Sequence, residues 1–390
     1  MFAAVMTVFW FAATAEVHAE TTPESSHAPL SLRDDDTVVW LGATFMERMQ
    51  QFGYLESILL SESQATPLRF RNLGWSGDEA TGISRAVFGA VEDGYKRLEK
   101  DLATAKPTVV VVQYGAVEAE HASLDEFRQQ VSRLLDTLSG TKARLVLLSP
   151  LHRTQPQPFF PDPANYNQKV DALCEVLEAV ASQRELPYID ARDLLNGVDS
   201  HDGIVPSAAG YRQLAPRLAE RLGYPTTHWS VALSRDGDPV AAGASLDKVK
   251  WTETGVSFEA TDEHLVATAG ESNSRLRVAG LPTGTYAVRA GGLQLGSFSA
   301  AQLAAGVSLP NRGGAPQAAQ LRKTVMQANE LFFHRHRPQN ETYLFLFRKH
   351  EQGNNAVEIP QFDPLIQQTE ARIGELRRTR PQPYTIAREN

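Results

Sequence analysis

A chain of 390 residues, 42% hydrophobic and 22% charged, holds enough apolar material for two or three folded domains. Its formal net charge of -8 argues against a nucleic-acid or anionic-membrane partner, since either calls for a basic face that neutralises phosphates. The single cysteine, Cys174, rules out a disulfide framework and a cysteine metal site.

Residues 2–13 are apolar apart from Thr7, and Val17 and Ala19 put small residues at the two positions a signal peptidase reads. This predicts an exported protein, periplasmic or extracellular, with a signal peptide over 1–19 and a linker over 20–35. No Lys or Arg precedes the apolar run, so an upstream start or an uncleaved anchor also fits. The run falls short of the ~20 residues of a spanning helix, and no other integral membrane segment is expected.

From 36 to 224, short β-branched runs alternate with longer stretches of helical period, the pattern of βαβ units around a parallel sheet. Strands are predicted at 37–41, 68–72, 108–114, 145–149 and 186–190. The run Val109, Val110, Val111, Val112 is apolar on both faces, as in a central strand covered by helices on each side. Helices are predicted near 45–60, 79–105, 123–139, 164–183 and 207–222. Cys174 shares its helical spacing with Val170, Leu177 and Val180, which makes it a core residue.

Past Pro225 the texture changes to alternating runs such as 256–260 and 286–289, separated by Gly, Asp, Pro and Thr. A small antiparallel β domain over 225–312 is expected. A helical period returns after Pro316 in Leu321, Val325, Leu331 and Phe332, which predicts a helical C-terminal region over 313–390.

In an open parallel sheet, ligands bind outside the carboxyl ends of the strands. The segments there are Gly42-Ala43-Thr44 with Glu47, then Asn72-Leu73-Gly74-Trp75-Ser76-Gly77-Asp78, then Tyr114-Gly115-Ala116-Val117-Glu118. The last is His201-Asp202-Gly203-Ile204-Val205-Pro206, before the final helix of the α/β domain. In order and spacing, these four segments resemble the four blocks of the SGNH or GDSL-type hydrolase superfamily, over roughly residues 37–222. The resemblance implies a three-layer, flavodoxin-like α/β fold and an ester hydrolase framework acting on a small-molecule or glycan ester.

It also implies roles by position. The first block of that family reads Gly-Asp-Ser, so Thr44 stands at the nucleophile and oxyanion position and Ala43 replaces the carboxylate. Gly77 stands at the oxyanion-hole glycine. The oxyanion-hole Asn of the third block is Val117, and of the Asp-x-x-His pair Asp202 remains while the His position is Val205.

The departures differ in cost. A hydroxyl needs an adjacent base to take its proton, so losing the His is the most damaging. Loss of a nucleophile or base costs on the order of a millionfold in turnover in a hydrolytic triad. Val117 removes a donor worth roughly a hundred- to a thousandfold. Thr44 is the mildest change, because a secondary hydroxyl can still attack.

Each candidate also has a structural reading. Asp202 either orients a base or serves as a turn or N-cap residue before the last helix. Gly74 and Gly77 serve backbone conformation whether or not an oxyanion is bound. Trp75 is either a sugar or acyl platform or a partly buried loop aromatic. A relocated base has three candidates in this domain: His121 and His152, which follow strand ends, and His201, next to Asp202.

Residues 329–365 resemble a stretch that recurs at the end of exported bacterial GDSL-type proteins, and they carry His334, His336 and His350 among many charges. One of these histidines can fold back to complete the depleted site. Alternatively, His334 and His336 join Glu341 or Glu358 around a metal, or the segment is a charged helical pair. Residues two apart on a helix do not share a face, which disfavours the metal, and neither a metal nor a cofactor is expected. Asn340 opens an Asn-Glu-Thr sequon that serves equally as a helix N-cap.

Three functional readings follow: a catalytically impaired ester hydrolase acting on acylated glycans or envelope esters, a non-catalytic carbohydrate- or partner-binding module, or a C-terminal active centre on an α/β scaffold.

Overall fold

The computed structural model describes residues 29–265, 274–351 and 355–389. The expected signal peptide and part of its linker lie outside the described residues. The first unit is a five-stranded parallel sheet of β1 (Thr37–Gly42), β2 (Arg69–Asn72), β3 (Val109–Gln113), β4 (Arg144–Leu148) and β5 (Tyr188–Ile189), in the order β2-β1-β3-β4-β5. The alternation of side chains across the strands builds two cores. Val38, Trp40, Val109 and Val111 face one side, under α1 (Thr44–Met49), α2 (Tyr54–Glu62) and α6 (Ala208–Arg221). Val39, Leu41, Val110 and Val112 face the other, under α3 (Val91–Ala105), α4 (Leu124–Ser139) and α5 (Ala164–Gln183), where Cys174 is buried as expected.

Two predicted helices are shorter in the fold. The 45–60 segment breaks at Gly53, which adopts φ 61° and separates α1 from α2. The 79–105 segment becomes α-helical only at Val91, after a single 3-10 turn at Ile83–Ala86, because the Asp78 carboxylate takes the N–H of Ser84 and the Nε of Arg85 and ties residues 79–90 into a loop.

The second unit is a two-sheet β sandwich. One sheet has the order β13-β10-β6-β7, from β6 (Trp229–Ser234), β7 (Gly237–Ala242), β10 (Ser274–Ala279) and β13 (Val307–Leu309). β6 and β10 run parallel, and the other pairs of the sandwich are antiparallel. The other sheet has the order β12-β11-β14-β9-β8, from β8 (Ala244–Thr252), β9 (Gly255–Asp262), β11 (Thr285–Ala290), β12 (Leu293–Ser299) and β14 (Gln382–Arg388). A short helix, α7 (Ala300–Ala305), joins β12 to β13. The 313–390 region therefore does not end in helix: its last strand, β14, sits between β11 and β9, and Tyr384 stacks on Phe258 at 4.9 Å and on Trp229 at 5.9 Å in the sandwich core.

The C-terminal helices α8 (Ala315–His336), α9 (Glu341–Leu344) and α10 (Phe362–Leu376) pack on the α/β unit. Leu321 and Val325 join the core under α2, and Asn329 reaches the buried Glu56 carboxylate at 3.3 Å and the Gln50 carbonyl at 3.0 Å. No helix among the described residues is long and apolar enough to cross a membrane.

Candidate active site

The carboxyl ends of β1, β2 and β3 share one edge because the strands are parallel neighbours, and the first two loops approach closely there at glycines. A Cβ on Gly42 would lie 2.4 Å from the Gln113 carbonyl, and one on Gly74 would lie 2.4 Å from the Glu47 amide, so neither position accepts a side chain without moving backbone. Backbone bonds then register the second loop on the first: Leu73 N to Trp40 O at 2.8 Å and Trp75 N to Gly42 O at 2.9 Å. Gly77 adopts φ 70°, a conformation that suits glycine.

Thr44 opens α1, behind a buried Ala43 that provides no side-chain cap. Its Oγ1 accepts the Gly77 N–H at 3.1 Å, so the two residues placed at the nucleophile and oxyanion positions are in contact. One turn along α1, Glu47 faces the same loop, and its Oε2 accepts the Ser76 N–H at 2.7 Å and the Ser76 hydroxyl. Glu47 Oε1 takes Nη1 of Arg337 at 2.6 Å. The Arg337 guanidinium lies 3.5 Å from the centroid of the Trp75 ring. Trp75 is 7% exposed, with Arg85 and Arg97 at 5.6 Å and 5.7 Å from its ring, so it packs as a hub and not as an open sugar platform.

Behind this surface, a buried ionic cluster holds the second and third loops. Arg85 donates to Asp78 at 2.9 Å and to the Leu73 carbonyl at 2.6 Å, while Tyr114 donates to Asp78 at 3.0 Å. Glu118 is fully buried and accepts the Ala80 N–H at 2.8 Å and the Gly115 N–H at 2.9 Å, clamping the two loops together. Burial pushes its carboxyl up, and those two amides oppose the shift.

Asp202 is committed to its own turn. Its Oδ1 accepts from the amides of Ile204 at 2.9 Å and Val205 at 3.1 Å and from Ser200 Oγ at 3.2 Å. Partial burial opposes ionisation, yet these donors hold the carboxyl below its usual range. The N-cap of α6 is Ser207, whose hydroxyl accepts from Gly210, so of the two structural readings Asp202 takes the turn. Val205, at the histidine position, is buried in the apolar core. Val117 begins a short turn of helix and presents no donor side chain.

The histidines are dispersed. His121 bonds Glu79 at 3.1 Å, and His152 bonds Asp171 at 2.9 Å, a carboxylate that also takes Arg192 at 2.7 Å. His201 is exposed on the turn of Asp202, and His350 is exposed on the turn Lys349–Glu351. His334 lies against Phe333 and Phe362. His336 is buried, stacked on Phe332, with Nδ1 at 2.9 Å from the Phe332 carbonyl; burial pushes its imidazole down to about 4. Among the described residues no histidine bonds Thr44 or Asp202, and no group of three or more His, Cys, Asp or Glu could hold a metal ion.

Glu47, Asp78, Tyr114 and Glu118 stood in the candidate segments without a role, and Arg85 and Arg337 escaped the sequence altogether. Glu47 had a signal, since it lies three residues after Thr44 and therefore on the same helix face. Arg337 had none, since 290 positions separate it from its partner.

A three-layer α/β domain whose cleft at the strand ends is built from these loops defines the class of fold, a parallel α/β sheet of the flavodoxin-like type. Residues 52–213 match the GDSL-like lipase/acylhydrolase family model. That stretch of the α/β domain is similar to the family, and it begins after the Gly42-Ala43-Thr44 segment. Among solved structures, a gut microbial diltiazem-metabolizing enzyme is similar over 92% of this chain and 99% of its own, at 15% identity and a TM-score of 0.70. The three-part architecture therefore recurs as a whole in another protein. An acetylxylan esterase from Geobacillus stearothermophilus, solved as a catalytic mutant, matches 50% of this chain and 96% of its own at 17% identity and a TM-score of 0.39. A GDSL-like lipase from Bacteroides thetaiotaomicron matches 48% and 88% at 16% identity and a TM-score of 0.37. No curated protein matches the chain.

Proposed function

We propose that this protein is an exported, catalytically impaired member of the family, whose cleft recognises an ester of an acylated glycan or related envelope molecule. One observation carries the reading: the Thr44 hydroxyl receives the Gly77 N–H, and no histidine among the described residues bonds it to accept its own proton. Without a base, the hydroxyl stays a weak nucleophile at its ordinary pKa. The surviving Gly77 amide can still donate to an ester carbonyl, which supports recognition without supporting turnover. A non-catalytic carbohydrate- or partner-binding module is the neighbouring reading, and the commitment of the Asp202 carboxylate to its own turn favours it too.

Release of p-nitrophenol from p-nitrophenyl acetate by the full chain from Glu20, beside Thr44→Ala, tests the proposal. Rates equal to each other and to buffer are expected. Fast release that vanishes in Thr44→Ala would establish Thr44 as a working nucleophile and overturn the impairment. Binding of an acetylated xylo-oligosaccharide, followed by calorimetry, then separates recognition of an ester from recognition of some other partner.

A further inference from the structure

Beside the edge strand β2 lies a cavity of about 1000 Å³ between the sheet, the end of α3 and helices α8 and α10. Its lining on the sheet side includes Thr37, Arg69 and Lys106, which lie at or just before the amino ends of β1, β2 and β3, opposite the end that carries Thr44. Thr44, Gly77 and Asp202 take no part in its walls.

The charge of the cavity runs against that of the chain. Seven Lys or Arg and three Asp or Glu line it, an excess of four positive charges on a protein whose net charge is -8. Some of the cations are already paired: Arg69 and Arg71 share Glu370, and Arg335 pairs with Asp363 at 2.8 Å. Arg377 donates to the carbonyls of Ser63 and Ala65. Lys106 and Arg378 are exposed and have no ion pair among the described residues. Lys100 has the ring of Phe345 at 4.2 Å for a neighbour; burial, then Arg97 and, more weakly, Arg335 push its ammonium down. A cation that its surroundings disfavour is one that an arriving anion relieves.

We propose that this cavity is a second binding site, for an oligoanion whose carboxylate or phosphate groups are spaced along a short chain, as in an acidic oligosaccharide. Its volume is at the upper end of the roughly 300–1000 Å³ of small-ligand pockets, far more than one inorganic ion fills. The unpaired cations come from separate elements, Lys100 and Lys106 at the end of α3 and Arg378 beyond α10, so a ligand must bridge several positions to meet them all. Between them, Leu68, Phe332, Ile366 and Ile373 contribute apolar edges to the lining. The site neither uses nor requires the Thr44 cleft.

Calorimetry of the full chain with trigalacturonate, inorganic tripolyphosphate and neutral maltotriose, against the double variant K106A/R378A, tests it. Both positions are exposed and unpaired, so the variant keeps the fold, and an unchanged melting temperature verifies this. At least one oligoanion is expected to bind, maltotriose is not, and the double variant should weaken binding about tenfold or more, as loss of two charged hydrogen-bond donors does. Stronger binding of trigalacturonate assigns the site to acidic sugars, and stronger binding of tripolyphosphate assigns it to phosphates. No binding of either, or binding that the double variant leaves unchanged, overturns the proposal.

Discussion

The guanidinium of Arg337 lies 3.5 Å from the centre of the Trp75 ring while its Nη1 holds Glu47 at 2.6 Å, so one side chain from the C-terminal region touches both loops that carry Thr44 and Gly77. Arg337→Ala is expected to cost about 2 kcal/mol, the sum of a shielded cation–π contact and a partly buried ion pair. Arg337→Lys should recover only part of this, because a point charge cannot stack on the indole and reach Glu47 at once. Urea midpoints of the three proteins check the claim, and identical midpoints would sink it.

The buried Asp78-Arg85 pair leads to a sharper loss. Asp78→Ala leaves the Arg85 cation, 1% exposed, without its carboxylate, at a cost of about 3–5 kcal/mol. The double variant Asp78→Leu/Arg85→Met should be more stable than Asp78→Ala alone, because no charge is then stranded. A double variant weaker than the single would show that the cluster acts through something besides charge.

Glu56 makes stability depend on pH. Burial pushes its carboxyl up to about 7, opposed by its own backbone amide and by the Asn329 side chain. The folded state therefore holds a proton that the unfolded chain releases near its ordinary value of 4.5. The stabilisation is fully present below that value and is lost as pH rises through about 7, a span worth up to ~3 kcal/mol. Buried His336, held down to about 4, works in the opposite sense and weakens the fold as pH falls from 6.5. The difference between wild type and Glu56→Gln isolates the first effect: the variant should gain relative stability between pH 5 and 8. A difference that is flat with pH refutes the assignment.

Restoring the base is the test of impairment with the largest expected signal. Val205→His places an imidazole three residues after Asp202, and any turnover it creates should vanish in Val205→His/Thr44→Ala. Val117→Asn should add roughly a hundred- to a thousandfold on that background and nothing on the wild type. Release of p-nitrophenol reads both. Because Asp202 is committed to the amides of Ile204 and Val205, the first gain should remain well below that of an oriented triad.

The α/β unit was legible because its signals are local. Val109 to Val112 announce a two-faced strand, and the strand ends delimit the loops where the candidates lie. The pairing of Thr44 with Gly77 follows from those loops being neighbours in the sheet. What stayed hidden depends on contacts between distant parts of the chain. Gln382 to Arg388 alternate in character, but that they form a strand is decided by partners at 255–260 and 286–290. The turn that absorbs the Asp202 carboxylate was visible as one of two readings, and the hydrogen bonds of its own loop decided between them.

The position of β14 sets an order of assembly. A strand made from residues 382–388 lies inside a sheet whose other strands come from 244–299, so that sheet stays split into two halves until those residues are in place. During that interval, Val256, Phe258, Tyr286 and Val288 lack the Tyr384 and Ile386 side chains that complete their core, and the facing edges of β9 and β11 are unpaired. β14 thus closes the sandwich as a latch, and a chain cut short before Gln382 would be left with that sheet open.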